Sequence, residues 1–220
     1  MMGGYGELAA ALAAFLGGHL VPAIHPLRDR LVAMAGRPAY LAGFSLVSIA
    51  LLAWLVAAAL RAPYTPLWPY AAWMPWVPVL VMPGVFILAV EGLRTPNPFS
   101  LTAAGTRLDG RPCGLLRVVR HPLPWALALW GLAHVAANPD LRAVLVFGLL
   151  ALFSIAGRAP LAARRRRALG EAGWAAADAA ARQCPGPVVR PGSVAAGLAA
   201  YAAGLALHPW LFGVAPLAAL

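Results

Sequence analysis

No lysine occurs anywhere in the 220 residues, so seventeen arginines set against seven acidic residues carry the whole formal net charge of +10. Charged residues amount to only 11% of the chain, too few to clothe a soluble domain of this size. Cysteine is also scarce. Cys113 and Cys184 stand alone, without C-x-x-C spacing, which gives no metal signature. Both fall in arginine-rich loops expected on the cytoplasmic side, and that position argues against a disulfide. The N-terminal MMGGYGELAAALAAFLGGHLVP has neither a basic leading region nor a small-residue cleavage site. It reads as a retained first span rather than a signal peptide.

What is abundant is apolar. Hydrophobic residues make up 62%, the mean hydropathy is +0.76, and runs close to bilayer-spanning length recur. The expected fold is an all-α polytopic integral membrane protein, a six-helix transmembrane bundle forming one domain over residues 1–220. The spans cover about Tyr5 to Ile24, Tyr40 to Leu60, Ala71 to Val90, Pro122 to Ala137, Leu141 to Gly157 and Ser193 to Val214. Segments four and five are separated only by Asn138-Pro139-Asp140 and should form a tight helical hairpin, since one continuous helix would bury Asp140 and Arg142 in lipid. Segment three carries Pro75, Pro78, Pro83 and Gly84, so a kink or break is expected in its first half, with freed carbonyls in need of partners.

Counted by loop, fifteen of the seventeen arginines fall in the first, third and fifth loops, leaving Arg61 and Arg142 for the other side. The positive-inside rule then puts the odd loops in the cytoplasm and both termini on the non-cytoplasmic side. The same rule accounts for the positive excess without a nucleic-acid partner; the expected partner is the lipid bilayer. The third loop, from Arg94 to Arg120, is too apolar for a solvated linker and reads as a re-entrant or interfacial segment. The run around Arg164 to Arg167 reads as an interfacial helix among anionic headgroups.

The densest chemistry lies in Arg117 to Asn138, RVVRHPLPWALALWGLAHVAAN. Pro122 suits the first turn of a helix, and Asn138-Pro139-Asp140 ends it. His121 and His134 are thirteen residues apart, roughly 20 Å along a helix axis, so one lies at a charged mouth and the other inside hydrocarbon. His19 and His208 are the other two imidazoles expected within the spans, whereas His25 joins His121 at the charged surface. Counted along each helix from the cytoplasmic side, His19 lies at roughly 13 Å, His134 at roughly 21 Å and His208 at roughly 22 Å. A histidine in a span often only bonds a neighbouring carbonyl, but three on three spans ask for a reason. No carboxylate stands beside them to make a proton relay or a non-haem metal site. Neutral imidazoles in a dry pocket suit axial ligation of haem iron, with Arg117, Arg120 and His121 at the mouth for a propionate, a lipid phosphate or a cofactor carboxylate.

Three pieces carry a family resemblance: FLGGH at Phe15 to His19, RHPLPW at Arg120 to Trp125 with LWGLAHVAAN at Leu129 to Asn138, and LHPWLFGVAP at Leu207 to Pro216. In these the chain resembles the NnrU family of bacterial membrane proteins, which is related to plant 15-cis-ζ-carotene isomerase. The resemblance implies an inner-membrane location and a haem b held by two histidines, one matching His134 and the other His19. Similar depth instead pairs His134 with His208. It implies either a redox-dependent cis–trans isomerase acting on a hydrophobic polyene, or an accessory protein in nitrite and nitric oxide metabolism handling a small redox ligand. Where the isomerase has a cysteine three residues before the second histidine, this chain has Gly131, which counts against a thiolate switch at the iron. The RHP motif also resembles the S-adenosylmethionine site of isoprenylcysteine and phospholipid methyltransferases. Those enzymes follow it with paired glutamates, and here only Glu171 stands near the arginine run, so methyl transfer is the alternative.

Overall fold

The computed structural model describes residues 4–21 and 25–219. Helix accounts for 75% of the chain, and no strand occurs among the described residues. The chain divides into two compact units, Met1–Trp68 with Asp140–Val146, and Pro69–Pro139 with Phe147–Leu220.

The first unit is built on α1 (Tyr5–Leu20) and α2 (His25–Arg61). The first expected span ran on to Ile24, and its residues 22–24 lie outside the described residues, as does the His25 side chain. Leu8, Ala11 and Leu12 recur at helical spacing and pack against Leu55, Ala58 and Ala62, burying one stripe of each helix. Gly36, at φ 78°, breaks α2 into two helices. Pro38 stands at the start of the second, where its missing N–H costs nothing, and the expected span from Tyr40 falls on that second helix. At its far end Arg61 and Trp54 donate to Glu7, and the Tyr5 hydroxyl donates to Pro63 O at 3.1 Å. Asp140 caps the short α5 (Leu141–Ala143), its Oδ1 accepting from Ala143 N at 3.2 Å. The Asn-Pro-Asp stop is therefore a turn, as its composition demands.

In the second unit α3 (Trp76–Arg94) packs against both α4 (Pro122–Ala137) and α8 (Pro191–Phe212). Met82, Val85 and Ala126 form its core, flanked by Trp130 and Tyr201. The third span begins later than the sequence suggests, at Trp76 rather than Ala71, with Pro75 as N-cap. Pro83 lies inside α3 and cannot donate to Val79 O. The Tyr201 hydroxyl of α8 takes that carbonyl instead, at 3.0 Å, so the proline defect is met by a neighbouring helix. After α5, a π-helical turn (Val144–Gly148) leads into α6 (Leu149–Ala156), and α7 (Arg158–Arg182) follows, broken at Gly170 where φ is 70°.

The long third loop is a folded region. Residues Thr95 to Ser100 are all buried, and Asn97 organises them: its Oδ1 accepts from Phe99 N and Ser100 N, and its Nδ2 donates to Arg120 O at 3.0 Å. The expectation of two unpaired thiols is overturned here. Cys113 and Cys184 form a disulfide, with Cα atoms 5.2 Å apart, inside a sealed cluster with Phe99, Leu116 and Ala181. Both sulfurs are buried, which shields the bond from the attacking thiolates that would reduce it.

Four helical stretches are long and apolar enough to cross a bilayer: Pro26–Arg61, Trp76–Arg94, Leu141–Arg182 and Pro191–Phe212, with Pro122–Ala137 a shorter apolar helix. Leu46, Ile49, Leu80 and Leu152 stand outward and exposed, a surface that hydrocarbon solvates and water would not. This is a multi-pass membrane protein.

Candidate functional site

His134 lies one turn from the C-terminal end of α4, and the residues one turn back help decide its surroundings. Trp130 sits one turn back on the same face, and its carbonyl meets the imidazole Nδ1 at 2.8 Å. A carbonyl oxygen only accepts, so Nδ1 carries the proton and Nε2 keeps its lone pair. Phe147, from the π-helical turn, packs its ring 4.8 Å from His134 and 5.1 Å from Trp130. Gly131 makes that approach possible: a Cβ there would stand 2.6 Å from Phe147 O and 3.0 Å from the Ala151 side chain. A π turn inside a helical run is uncommon and recurs at functional sites. Here it delivers an aromatic wall to a histidine.

The same local chemistry appears at the other two histidines expected within spans. His19 Nδ1 meets Phe15 O at 2.8 Å, between the rings of Phe15 and Phe44. His208 Nδ1 meets Val214 O at 2.8 Å, with Phe212 beside it. All three rings therefore hold Nε2 as a free lone pair in aromatic surroundings, with Nδ1–H anchored to the backbone. A backbone anchor of this kind orients metal-ligating histidines and raises their basicity. His134 and His208 belong to the second unit, whereas His19 belongs to the first.

The basic mouth is more committed than the sequence implies. Arg117 donates to Cys184 O and Gly186 O, both at 2.9 Å. Arg120 is ion-paired with Asp178 and lies 5.1 Å from the centre of the Phe99 ring. These two arginines hold the third loop onto α7. His121, the N-cap of α4, is different: its Nδ1 is buried without a partner among the described residues. Burial, with the positive charges of Arg158 and Arg120, pushes its pKa below the ordinary value. Because α4 is unbroken from Pro122 to Ala137, the helix holds His121 roughly 20 Å from His134.

The sequence profile of the NnrU family, described as NnrU protein, matches residues 7–216. The chain belongs to the NnrU family. Neither a curated protein nor a solved structure matches it. The match takes in most of both units, and with them His19, His134, His208 and the RHP segment. The Glu171 that stood alone in the comparison with methyltransferases is ion-paired with Arg166 on the exposed side of α7.

Among the described residues, no three His, Cys, Asp or Glu side chains converge on one point. A bare ion bound by protein alone asks for three or four such ligands, while a haem brings four nitrogens of its own and asks the protein for one or two. The imidazoles here, each with one unprotonated nitrogen, are donors of the kind a haem takes.

Sequence reasoning passed over Ser100, Arg158 and Arg165. Arg158 directly follows an apolar run, and Arg165 lies two helical turns beyond it. That spacing was a usable sign, masked by the more conspicuous block from Arg164 to Arg167.

Proposed function

We propose that this NnrU-family chain is a six-span inner-membrane protein, both termini on the non-cytoplasmic side, that binds haem b through His134 and acts on an unsaturated lipid-like polyene or a small redox ligand. The observation that carries the reading is the pattern at the imidazoles: Nδ1–H bound to a backbone carbonyl and Nε2 free, within aromatic side chains. His134 is the first ligand. His208, in the same compact unit and at similar expected depth, is one candidate for the second, and His19 is the one that the family resemblance favours. Haem iron bound there would supply one-electron exchange with a polyene double bond or with a ligand such as nitric oxide. The protein's own part is to fix the imidazole tautomer through Trp130 O, to wall the ring with Phe147, and to exclude water with the apolar faces of α4 and α6.

The orientation rests on the arginine count. A reporter fused after Leu220 should be active only outside the cytoplasm, and activity inside would reverse it. The haem reading is tested by absorption of the purified protein and of three alanine variants. His134→Ala should lose haem while still inserting; loss of the true second ligand should convert a low-spin spectrum to high-spin. A low-spin spectrum in His208→Ala, with conversion in His19→Ala, returns the second ligand to His19. A haem-free preparation that binds S-adenosylmethionine would replace the reading with methyl transfer.

A further inference from the structure

A second cluster lies where α6 ends and α7 begins. From Arg158 to Leu169 the helix is regular, and Arg158, Leu161, Ala162 and Arg165 recur at i, i+3, i+4 and i+7, all half-buried on one face. Arg165 Nη2 donates to Ser100 O at 3.3 Å, and the Arg158 guanidinium lies over the indole of Trp125, 4.0 Å from its centre. Ser100 N and Arg120 O are both tied to the Asn97 amide, so one side chain brings Ser100 and the neighbouring His121 together. Trp125 N donates to His121 O at 3.1 Å, so Arg158 over that indole closes the circle.

The charges and donors in this circle do not balance. Neither Arg158 nor Arg165 has a carboxylate within ion-pairing distance among the described residues, whereas Arg120 has Asp178 and Arg166 has Glu171. Three polar atoms of the circle are buried without partners among the described residues: Arg165 Nε, Ser100 Oγ and His121 Nδ1. Ser100 itself is fully buried. Native interiors leave few polar atoms orphaned, and half-buried cations without a counter-charge are costly. Guanidinium N–H and hydroxyl O–H are donors, and so is an imidazole N–H, so the complement they call for is an anion carrying several acceptor oxygens. The cluster follows directly on the apolar run that ends at Ala156, the level at which a span meets headgroups.

We propose that Ser100, His121, Arg158 and Arg165 form a binding site for a phosphate group, borne by an anionic membrane lipid or free in solution. The site is separate from the haem reading, because the α4 helix alone sets His121 roughly 20 Å from His134. Trp125 is its built-in reporter, since an anion that draws Arg158 off the indole alters the emission of that ring.

The test uses the full-length protein in detergent, titrated with inorganic phosphate and, in parallel, with phosphatidic acid or phosphatidylcholine, following tryptophan emission and thermal unfolding. Trp125→Phe identifies the Trp125 share of the signal. A response to phosphate and phosphatidic acid assigns a site open to both sources; a response to phosphatidic acid alone assigns the lipid headgroup; either supports the site. Arg165→Gln and Ser100→Ala should weaken binding roughly tenfold each, the worth of one charge-assisted hydrogen bond, and Arg166→Gln should leave it unchanged. Circular dichroism verifies that each variant is folded, and Ser100→Ala carries the test if Arg165→Gln is not. No response to either phosphate source, an equal response to phosphatidylcholine, or full affinity in Ser100→Ala overturns the proposal.

Discussion

Replacing Gly131 by alanine is the sharpest test of how α4 is seated. The added Cβ would stand 2.6 Å from Phe147 O, 3.0 Å from the Ala151 Cβ and 3.4 Å from Ala151 N. The nearest atom is backbone, so no rotamer change relieves it, and the helices must separate by several tenths of an ångström. Overpacking of this kind costs about 1–3 kcal/mol. In water a glycine-to-alanine change within a helix would recover about 1 kcal/mol of propensity. In a bilayer the isolated span is already helical before it associates, so little of that gain offsets the clash and most of the cost should appear. Reversible unfolding in mixed micelles measures it. Gly131→Ala should lose about 1–3 kcal/mol, and Gly131→Ala with Ala151→Gly should regain only part, because the Phe147 carbonyl remains. An unchanged stability in Gly131→Ala would refute the close approach. By the same geometry Gly131→Cys should not furnish a thiol ligand beside His134 without prising α4 from α6.

Three further outcomes follow from the same coordinates. Tyr201→Phe removes the donor to Val79 O and leaves a carbonyl that Pro83 cannot serve, which should cost about 1–3 kcal/mol in the same unfolding assay, whereas the exposed Tyr70→Phe should cost nothing measurable. Cys184→Ser opens a crosslink between residues 71 apart in sequence, a loss of about 4 kcal/mol if chain entropy dominates, and the wild-type protein treated with reductant under native conditions should resist change until partly unfolded. His121 has a folded-state pKa below its ordinary value, through burial and then through Arg158 and Arg120. The unfolded chain therefore binds more protons as pH falls below about 6.5, so stability should decline through that range toward the lowered value, and His121→Gln should flatten the decline in a melting series from pH 7.5 to 5.5.

Much of this protein was legible in one dimension because membrane solvent imposes simple rules. An apolar run near twenty residues must be helical to satisfy its own backbone, and Pro122 and Asn138 mark the two ends of α4 that the structure shows. Even the anchoring of His134 and His19 is local: in a helix an imidazole reaches the carbonyl four residues back, here Trp130 and Phe15. What tertiary structure decided was every partnership between distant residues. Cys113 met Cys184 because the third loop folds against the end of α7, which no spacing announces. Arg117 and Arg120 looked like a free mouth, yet they are consumed by the carbonyls of Cys184 and Gly186 and by Asp178. Arg165 looked like one more topology charge, yet it is turned inward onto Ser100. Arginine in a sequence declares charge but not direction, and its long side chain lets packing choose between water, a headgroup and a buried carbonyl. Gly131 read as the absence of a cysteine; its physical meaning, a backbone carbonyl pressed against Cα, exists only once α4 and α6 are brought together.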